Sequence, residues 1–217
     1  MNIPSRETAA GRAYLDLQAR ARRDGRPTDE LLVLYVLERF LYRLSQSSLR
    51  DRLILKGGML LAALDQRRPT GDVDLLAKDV ANDVGTVCDL VREVLRLEFD
   101  DGVVFNVEEL RAQLIRDTDL YSGVRIVVPA TVARARHPLR LDVSVGDPVT
   151  PSPAEIEFPA LLGEPFTIIG YPIETVRHPQ RTHRSGAVQL QRSDRGSHHL
   201  RRPDRDRRDH TRCMESS

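Results

Sequence analysis

The sequence has few cysteines and no long apolar run, and each absence excludes a class of protein. Its two cysteines, Cys88 and Cys213, lie far apart, which fits neither a disulfide framework nor a zinc site. No stretch approaches the roughly 18 consecutive apolar residues that a membrane-spanning helix needs. Met1–Ala10 lacks the apolar segment that follows the basic start of a signal peptide. We therefore expect a cytoplasmic protein with no membrane partner.

Lysine is also scarce, and the positive charge is unevenly distributed. Of the 33 basic residues, only Lys56 and Lys78 are lysines, and the other 31 are arginines. Residues 177–217 hold eleven arginines and five acidic residues, a surplus of +6, although the net charge of the whole chain is +1. Residues 1–176 therefore carry about −5, which argues against a broad basic surface for nucleic acid.

Helical and strand-like patterns alternate along a chain of 217 residues that is long enough to bury a substantial core. Helices are predicted at residues 6–23, 28–49, 59–64 and 84–97, with Thr28 as a candidate N-cap. Strands are predicted at 53–55, 72–76, 103–105, 124–128, 139–145, 156–158 and 166–169, while 107–120 fit either helix or loop. This interleaving predicts an α/β or α+β fold with a mixed sheet and flanking helices.

A pair of glycines, Gly57 and Gly58, lies between the first predicted strand and a predicted helix. Glycine lets the backbone approach a ligand closely, and the free N–H groups at a helix start form an anion site. A Gly-Gly pair is also common in simple turns. It therefore indicates a phosphate site only in combination with other features.

Three aspartates lie on two predicted strands. Asp72 and Asp74 are two residues apart, so their side chains project from the same face of a strand. Carboxylates this close repel each other unless a cation lies between them, and Mg²⁺ prefers oxygen ligands. Asp142 lies on the polar side of the strand Leu139–Val145, which alternates strictly between apolar and polar residues. Each aspartate alone could be an ordinary solvent-facing residue, but together they predict a metal site.

The order of these features resembles that of the DNA polymerase beta-like nucleotidyltransferases. Five runs make the chain resemble, more closely, the AbiEii/AbiGii-type nucleotidyltransferase toxins of type IV toxin–antitoxin systems. The runs are Leu55–Gly58, Arg68–Leu75, Tyr121–Ile126, Leu141–Val149 and Gly170–Val176. They occur in the family's order between about Asp51 and Val176.

The resemblance implies a polymerase-beta-like fold and a Mg²⁺-dependent nucleotidyltransferase. Its catalytic and metal-binding residues would be Asp72, Asp74 and Asp142. Its nucleotide-binding residues would be Lys56, Gly57, Gly58, Arg68 and Thr70, although Lys56, Arg68 and Thr70 also suit a surface turn. The implied partners are an NTP, an RNA acceptor such as the 3′ end of tRNA, and a cognate antitoxin.

The family pattern stops after Val176, and the sequence divides there. Residues 1–176 are predicted to form the nucleotidyltransferase domain, with N-terminal helices at 6–49 and a core at 51–176. Residues 177–217 are rich in Arg and His and contain five of the six histidines. They fit a disordered basic tail that binds RNA, a metal-binding histidine cluster, or the product of a frameshift, and the frameshift agrees best with the abrupt change of composition.

Three functions remain open from the sequence. The first is transfer of a nucleotide to RNA, and the second is transfer to a protein or a small molecule, which the acidic body favours slightly. The third is an impaired remnant that binds only NTP or antitoxin. If residues 177–217 are the product of a frameshift, the lysine and aspartate that the family carries downstream are missing, and weak or absent transfer is expected.

Overall fold

The computed structural model describes residues 4–56, 70–81, 83–117, 121–146 and 152–171. Its helices are α1 (Ala9–Asp24), α2 (Thr28–Gln46) and α3 (Val84–Leu95), with a short 3₁₀ turn at Val107–Glu109. Its strands are β1 (Leu53–Lys56), β2 (Val73–Ala77), β3 (Val103–Phe105), β4 (Arg111–Asp117), β5 (Tyr121–Val128), β6 (Ala130–Val132), β7 (Ala135–Arg136), β8 (Leu139–Val145), β9 (Ala154–Phe158) and β10 (Phe166–Gly170). The predicted helix at 59–64, the boundary at 176 and the segment 177–217 lie outside the described residues.

Seven strands form a mixed sheet in the order β4-β5-β8-β2-β1-β10-β9. β2 runs parallel to β8 and β1 parallel to β10, whereas the other neighbours in this sheet are antiparallel. Side chains from one face of the sheet, such as Leu55, Leu75 and Val143, join those of the three helices in a single core. The structure thus confirms the predicted mixed sheet with flanking helices.

β8 shows why one face of the sheet is free for polar side chains. Leu139, Leu141, Val143 and Val145 are buried in the core, and the residues between them point to the opposite face. That second face carries a small apolar cluster of its own, formed by Ile54, Leu76 and Tyr171 with Ile169 packed against them. The strict alternation predicted for this strand is confirmed.

α2 runs through the centre of the core and is buried almost all round. The predicted N-cap was wrong: Thr28 is the first helical residue, and Pro27 before it has extended backbone with no side-chain cap. The helix also ends at Gln46 and not at Leu49, because Ser47 is extended. The Ser47 hydroxyl donates to Leu44 O and accepts from Leu49 N, local bonds that compete with continued helix.

The segment 107–120, predicted as helix or loop, contains β4 at the edge of the large sheet. An edge strand buries little, and Leu114 on β4 is half exposed, so the segment has no clear apolar period. The short strand β6 pairs with β3 on one side and with β7 on the other, and the three form a second sheet that was not predicted. Among the described residues, no helix has the length and apolar character to cross a membrane.

Two buried ionic clusters join α2 to neighbouring segments. Arg43 binds both carboxylate oxygens of Asp101 at 2.6 and 3.2 Å, and it also donates to Leu97 O at 3.0 Å. Glu38 pairs with Arg39, and its Oε2 accepts the backbone N–H of Leu161 at 2.6 Å. These contacts fix the segments that lead into β3 and β10 against the helix.

Candidate functional site

Four charged side chains lie in one row across the middle of the large sheet. Lys56 on β1 is opposite Asp74 on β2, which is opposite Asp142 on β8, which is opposite Arg125 on β5. Residues opposite each other on neighbouring strands project from the same face, and neighbouring strands are about 4.8 Å apart. The register therefore brings Asp74 and Asp142 side by side, with a basic residue beyond each of them.

The row lies on the face of the sheet that points away from the helices. Asp74 is partly exposed between the buried Val73 and Leu75, and Asp142 is partly exposed between Leu141 and Val143. The apolar neighbours are held in the core, so the period of two forces the aspartates outward. The core packing of β2 and β8 thus places the carboxylates where a ligand can reach them.

Asp72, the predicted first residue of this strand, lies just before β2, which begins one residue later at Val73. Its side chain is partly buried, and the Thr70 hydroxyl lies 3.1 Å from Asp72 Oδ1 and 3.2 Å from Asp72 O. Since a hydroxyl has a single hydrogen, it donates to one of these oxygens at a time. Thr70 thus contacts the first aspartate of the pair directly, and its predicted role in phosphate binding stays a prediction.

Arg125 binds the third aspartate through both branches of its guanidinium. Arg125 Nε donates to Asp142 Oδ1 at 2.8 Å, and Nη2 donates to Oδ2 at 2.6 Å. The hydrogen bonds and charge of Asp142, and then the charges of Asp72 and Asp74, raise the pKa of Arg125. One guanidinium therefore binds Asp142 directly and is stabilised at longer range by the charges of Asp72 and Asp74.

Lys56 lies at the other end of the row, opposite Asp74. Its Nζ donates to Ser144 Oγ at 3.1 Å, and Ser144 Oγ donates in turn to Leu75 O at 3.2 Å. The ammonium also lies 6.0 Å from the centre of the Tyr171 ring, within the range of a cation–π contact. These contacts hold a cation at the end of β1, immediately before the predicted glycine pair.

The remaining predicted residues, Gly57, Gly58 and Arg68, lie outside the described part of the chain. Arg125 was not predicted as a site residue, although it belongs to a run that carries the family resemblance. A signal was present, because Arg125 is the outward residue between Val124 and Ile126, which are both fully buried. Nothing in the local pattern, however, indicates that β5 pairs with β8.

The donor chemistry of the site fits a magnesium ion, because carboxylate oxygens are the ligands that Mg²⁺ prefers. Within the described residues, no three His, Cys, Asp or Glu side chains are arranged so that they could hold an ion. Both oxygens of Asp142 instead face Arg125. The backbone thus brings the carboxylates together, while Arg125 occupies one acceptor site on each oxygen of Asp142.

Comparisons with known proteins match more than half of the sequence to one described family. The sequence profile of the family described as "Nucleotidyl transferase AbiEii toxin, Type IV TA system" matches residues 39–177. The matched segment contains every predicted site residue and ends where the Arg- and His-rich segment begins. None of the curated proteins matches the sequence.

Two solved structures from Helicobacter pylori are similar to the chain. JHP933 is 18% identical, with a TM-score of 0.41 over 66% of this chain and 53% of that one. A candidate nucleotidyltransferase is 19% identical, with a TM-score of 0.40 over 67% of this chain and 55% of the other. The chain thus spans about half the length of each of these proteins.

Proposed function

The chain belongs to the AbiEii family of nucleotidyltransferase toxins of type IV toxin–antitoxin systems, and from this premise we propose a specific reaction for it. It transfers a nucleotide from an NTP to the 3′ end of an RNA, with tRNA as the acceptor, and releases diphosphate. The reaction uses Mg²⁺ and takes place in the cytoplasm. Membership of the family implies an antitoxin partner, which we expect to bind this chain and block the reaction.

The observation that carries the proposal is the register of β2 and β8, which sets Asp74 directly beside Asp142. Asp72, two residues before Asp74, supplies a third carboxylate to the same region. The three would hold Mg²⁺, which would supply positive charge to the attacking and leaving oxygens of an in-line displacement. Asp142 would also help to accept the proton of the acceptor's hydroxyl group.

The cations at the ends of the row support binding of a nucleotide. Lys56 is held by Ser144 at 3.1 Å and immediately precedes Gly57 and Gly58 in the chain. An ammonium group can bind a phosphate as a point charge, and glycines allow the backbone N–H groups to approach one. The chain's own residues would therefore bind the triphosphate from the β1 side and position it next to the aspartates.

The test is transfer of radiolabelled NTP, each of the four in turn, to total tRNA in the presence of Mg²⁺. The wild-type chain is compared with Asp72→Ala and Asp142→Ala. The matched control is Asp89→Ala, which removes an exposed carboxylate from α3, outside the large sheet. Label on tRNA that depends on Asp72 and Asp142 but not on Asp89 would support the proposal and identify the nucleotide.

Other outcomes of this assay would favour a different acceptor or no transfer at all. Aspartate-dependent label on a protein or a small molecule, with none on RNA, would favour the second acceptor class, which the charge of about −5 on residues 1–176 already favours slightly. No label on any acceptor from a folded chain would refute transfer by this chain and favour the impaired remnant that binds only NTP or antitoxin. Since residues 177–217 depart from the family pattern, we expect slow turnover. A chain in which another reading frame replaces this segment is the comparison that tests that expectation.

A further inference from the structure

We propose that Arg125 is a resident counterion of the metal site, which holds Asp142 until a divalent cation displaces it and so weakens metal binding. The inference rests on the proposed function, because it concerns the carboxylates that would hold Mg²⁺. It assigns a role to a residue that the sequence did not mark as part of the site. It also predicts that removal of a basic residue improves metal binding.

The position of Arg125 is set by the backbone. β5 and β8 pair antiparallel over six residues, with Arg125 opposite Asp142 between the pairs Val124–Val143 and Ile126–Leu141. All four of those neighbours are buried in the core. A shift of one residue would move them to the solvent side, so the register, and with it the proximity of Arg125 to Asp142, is strongly fixed.

The pair is strong enough to compete with a metal ion for Asp142. Both carboxylate oxygens accept a guanidinium hydrogen at 2.6–2.8 Å, the paired geometry that arginine forms best with a carboxylate. An ion that binds Asp142 must share its oxygens with these bonds or displace them. It must also approach a guanidinium that stays charged throughout the physiological pH range.

The pair is also weak enough to be displaced. The side chain of Arg125 is 46% exposed, and that of Asp142 is 23% exposed. Solvent-exposed ion pairs contribute little net free energy, because water replaces their interactions. A divalent cation can therefore exchange with Arg125 at this position, whereas it could not easily break the buried pair of Arg43 and Asp101, which are 3% and 7% exposed.

Lys56 also flanks the carboxylates, at the opposite end of the row from Arg125. Its ammonium is bonded to the Ser144 hydroxyl and lies near the Tyr171 ring. Arg125 occupies both oxygens of Asp142. Removal of Arg125 should therefore free both oxygens of this aspartate for a metal ion.

The experiment measures Mn²⁺ binding to the full chain without nucleotide, from the loss of the free Mn²⁺ signal in electron paramagnetic resonance. Arg125→Ala should bind Mn²⁺ about tenfold more tightly than wild type, because a positive charge within a few ångströms of the ion is removed. Arg125→Lys, which keeps the charge without the paired bonds, should lie between the two. Circular dichroism melts establish that each variant is folded.

The matched control is Arg140→Ala. Arg140 is exposed on the same face of β8, two residues from Asp142, so its removal changes the net charge equally. It makes no ion pair within the described part of the chain. We expect its effect on Mn²⁺ binding to be less than about threefold, because its charge is farther from the ion and is screened by solvent.

The results separate this inference from the proposed function. Mn²⁺ binding that Asp74→Ala abolishes and Arg125→Ala leaves unchanged would overturn the inference while the metal site stands. Tightening in Arg140→Ala equal to that in Arg125→Ala would also overturn it, since general charge would then explain the effect. No Mn²⁺ binding by the wild-type chain or by Arg125→Ala would overturn both the inference and the proposed metal site.

Discussion

Glu38 is an acid that the fold buries almost completely, and its replacement by glutamine tests the packing quantitatively. It lies on α2, pairs with Arg39, and accepts the backbone N–H of Leu161 at 2.6 Å. Desolvation outweighs the attraction of Arg39 and raises the pKa of Glu38 from 4.5 to about 7. Leu161 lies between β9 and β10, so this contact helps to hold β10 beside the strand that carries Lys56.

The raised pKa fixes the sign of the pH dependence. The folded chain binds the Glu38 proton more tightly than the unfolded chain does, so protonation stabilises the fold. This contribution is complete below a pH of about 4.5, declines as the pH rises, and is lost above about 7. At about 1.4 kcal/mol for each pKa unit, the loss is about 3 kcal/mol.

Glu38→Gln should remove this pH dependence, because an amide cannot ionise but can still accept the Leu161 N–H. The measurement is the free energy of unfolding in urea for both chains at several values between about pH 5 and pH 8. Relative to wild type, the variant should gain about 2.5 kcal/mol across that range. The matched control is Glu30→Gln, which removes a more accessible carboxylate from the first turn of the same helix.

Parallel curves for wild type and Glu38→Gln would refute the reasoning. They would mean that Glu38 ionises equally easily in the folded and unfolded chains, and hence that water or Arg39 compensates for its burial. A change of the same size in Glu30→Gln would point instead to the net charge of the helix. Only a pH dependence specific to Glu38 agrees with a buried carboxyl group at this position.

The other predictions concern stability and nucleotide binding. Asp101→Ala leaves the buried Arg43 without its carboxylate and should cost about 3–5 kcal/mol in denaturant unfolding; a loss below about 1 kcal/mol would contradict a buried pair. Gly102→Ala should cost at least about 2 kcal/mol, because φ is +76° and the new Cβ would lie 2.5 Å from backbone of α1. Gly25→Ala, with φ at +65° and open space around it, should cost less, and equal losses would exclude the collision. Ser144→Ala removes a hydroxyl partner of the lysine at the end of β1 and should raise the KM for NTP about threefold to tenfold, whereas an unchanged KM would show that this bond does not position the lysine for the nucleotide.

The regular elements were predictable where one face of a strand or helix is buried in the core. β8 is the clearest case, because its alternation alone predicts that the side chain of Asp142 points away from the core. β4 was not predictable, because it lies at the edge of the sheet and buries too little to impose a period. β6 and β7 have three and two residues, which is too short for a period to show.

The row Lys56–Asp74–Asp142–Arg125 shows where the sequence stops being informative about the site. Alternation predicts which face each residue occupies, but the row depends on the order β1-β2-β8-β5, whose members are far apart in the chain. The aspartates could be predicted because carboxylates at this spacing resemble a family motif. Arg125 carries no such mark, since an outward arginine on a strand is common and only the pairing of β5 with β8 gives it a partner. Strand pairing, and not local sequence, therefore determines which basic residues lie beside the carboxylates. Metal affinity depends on these neighbours, so it can be inferred only once the order and register of the strands are known.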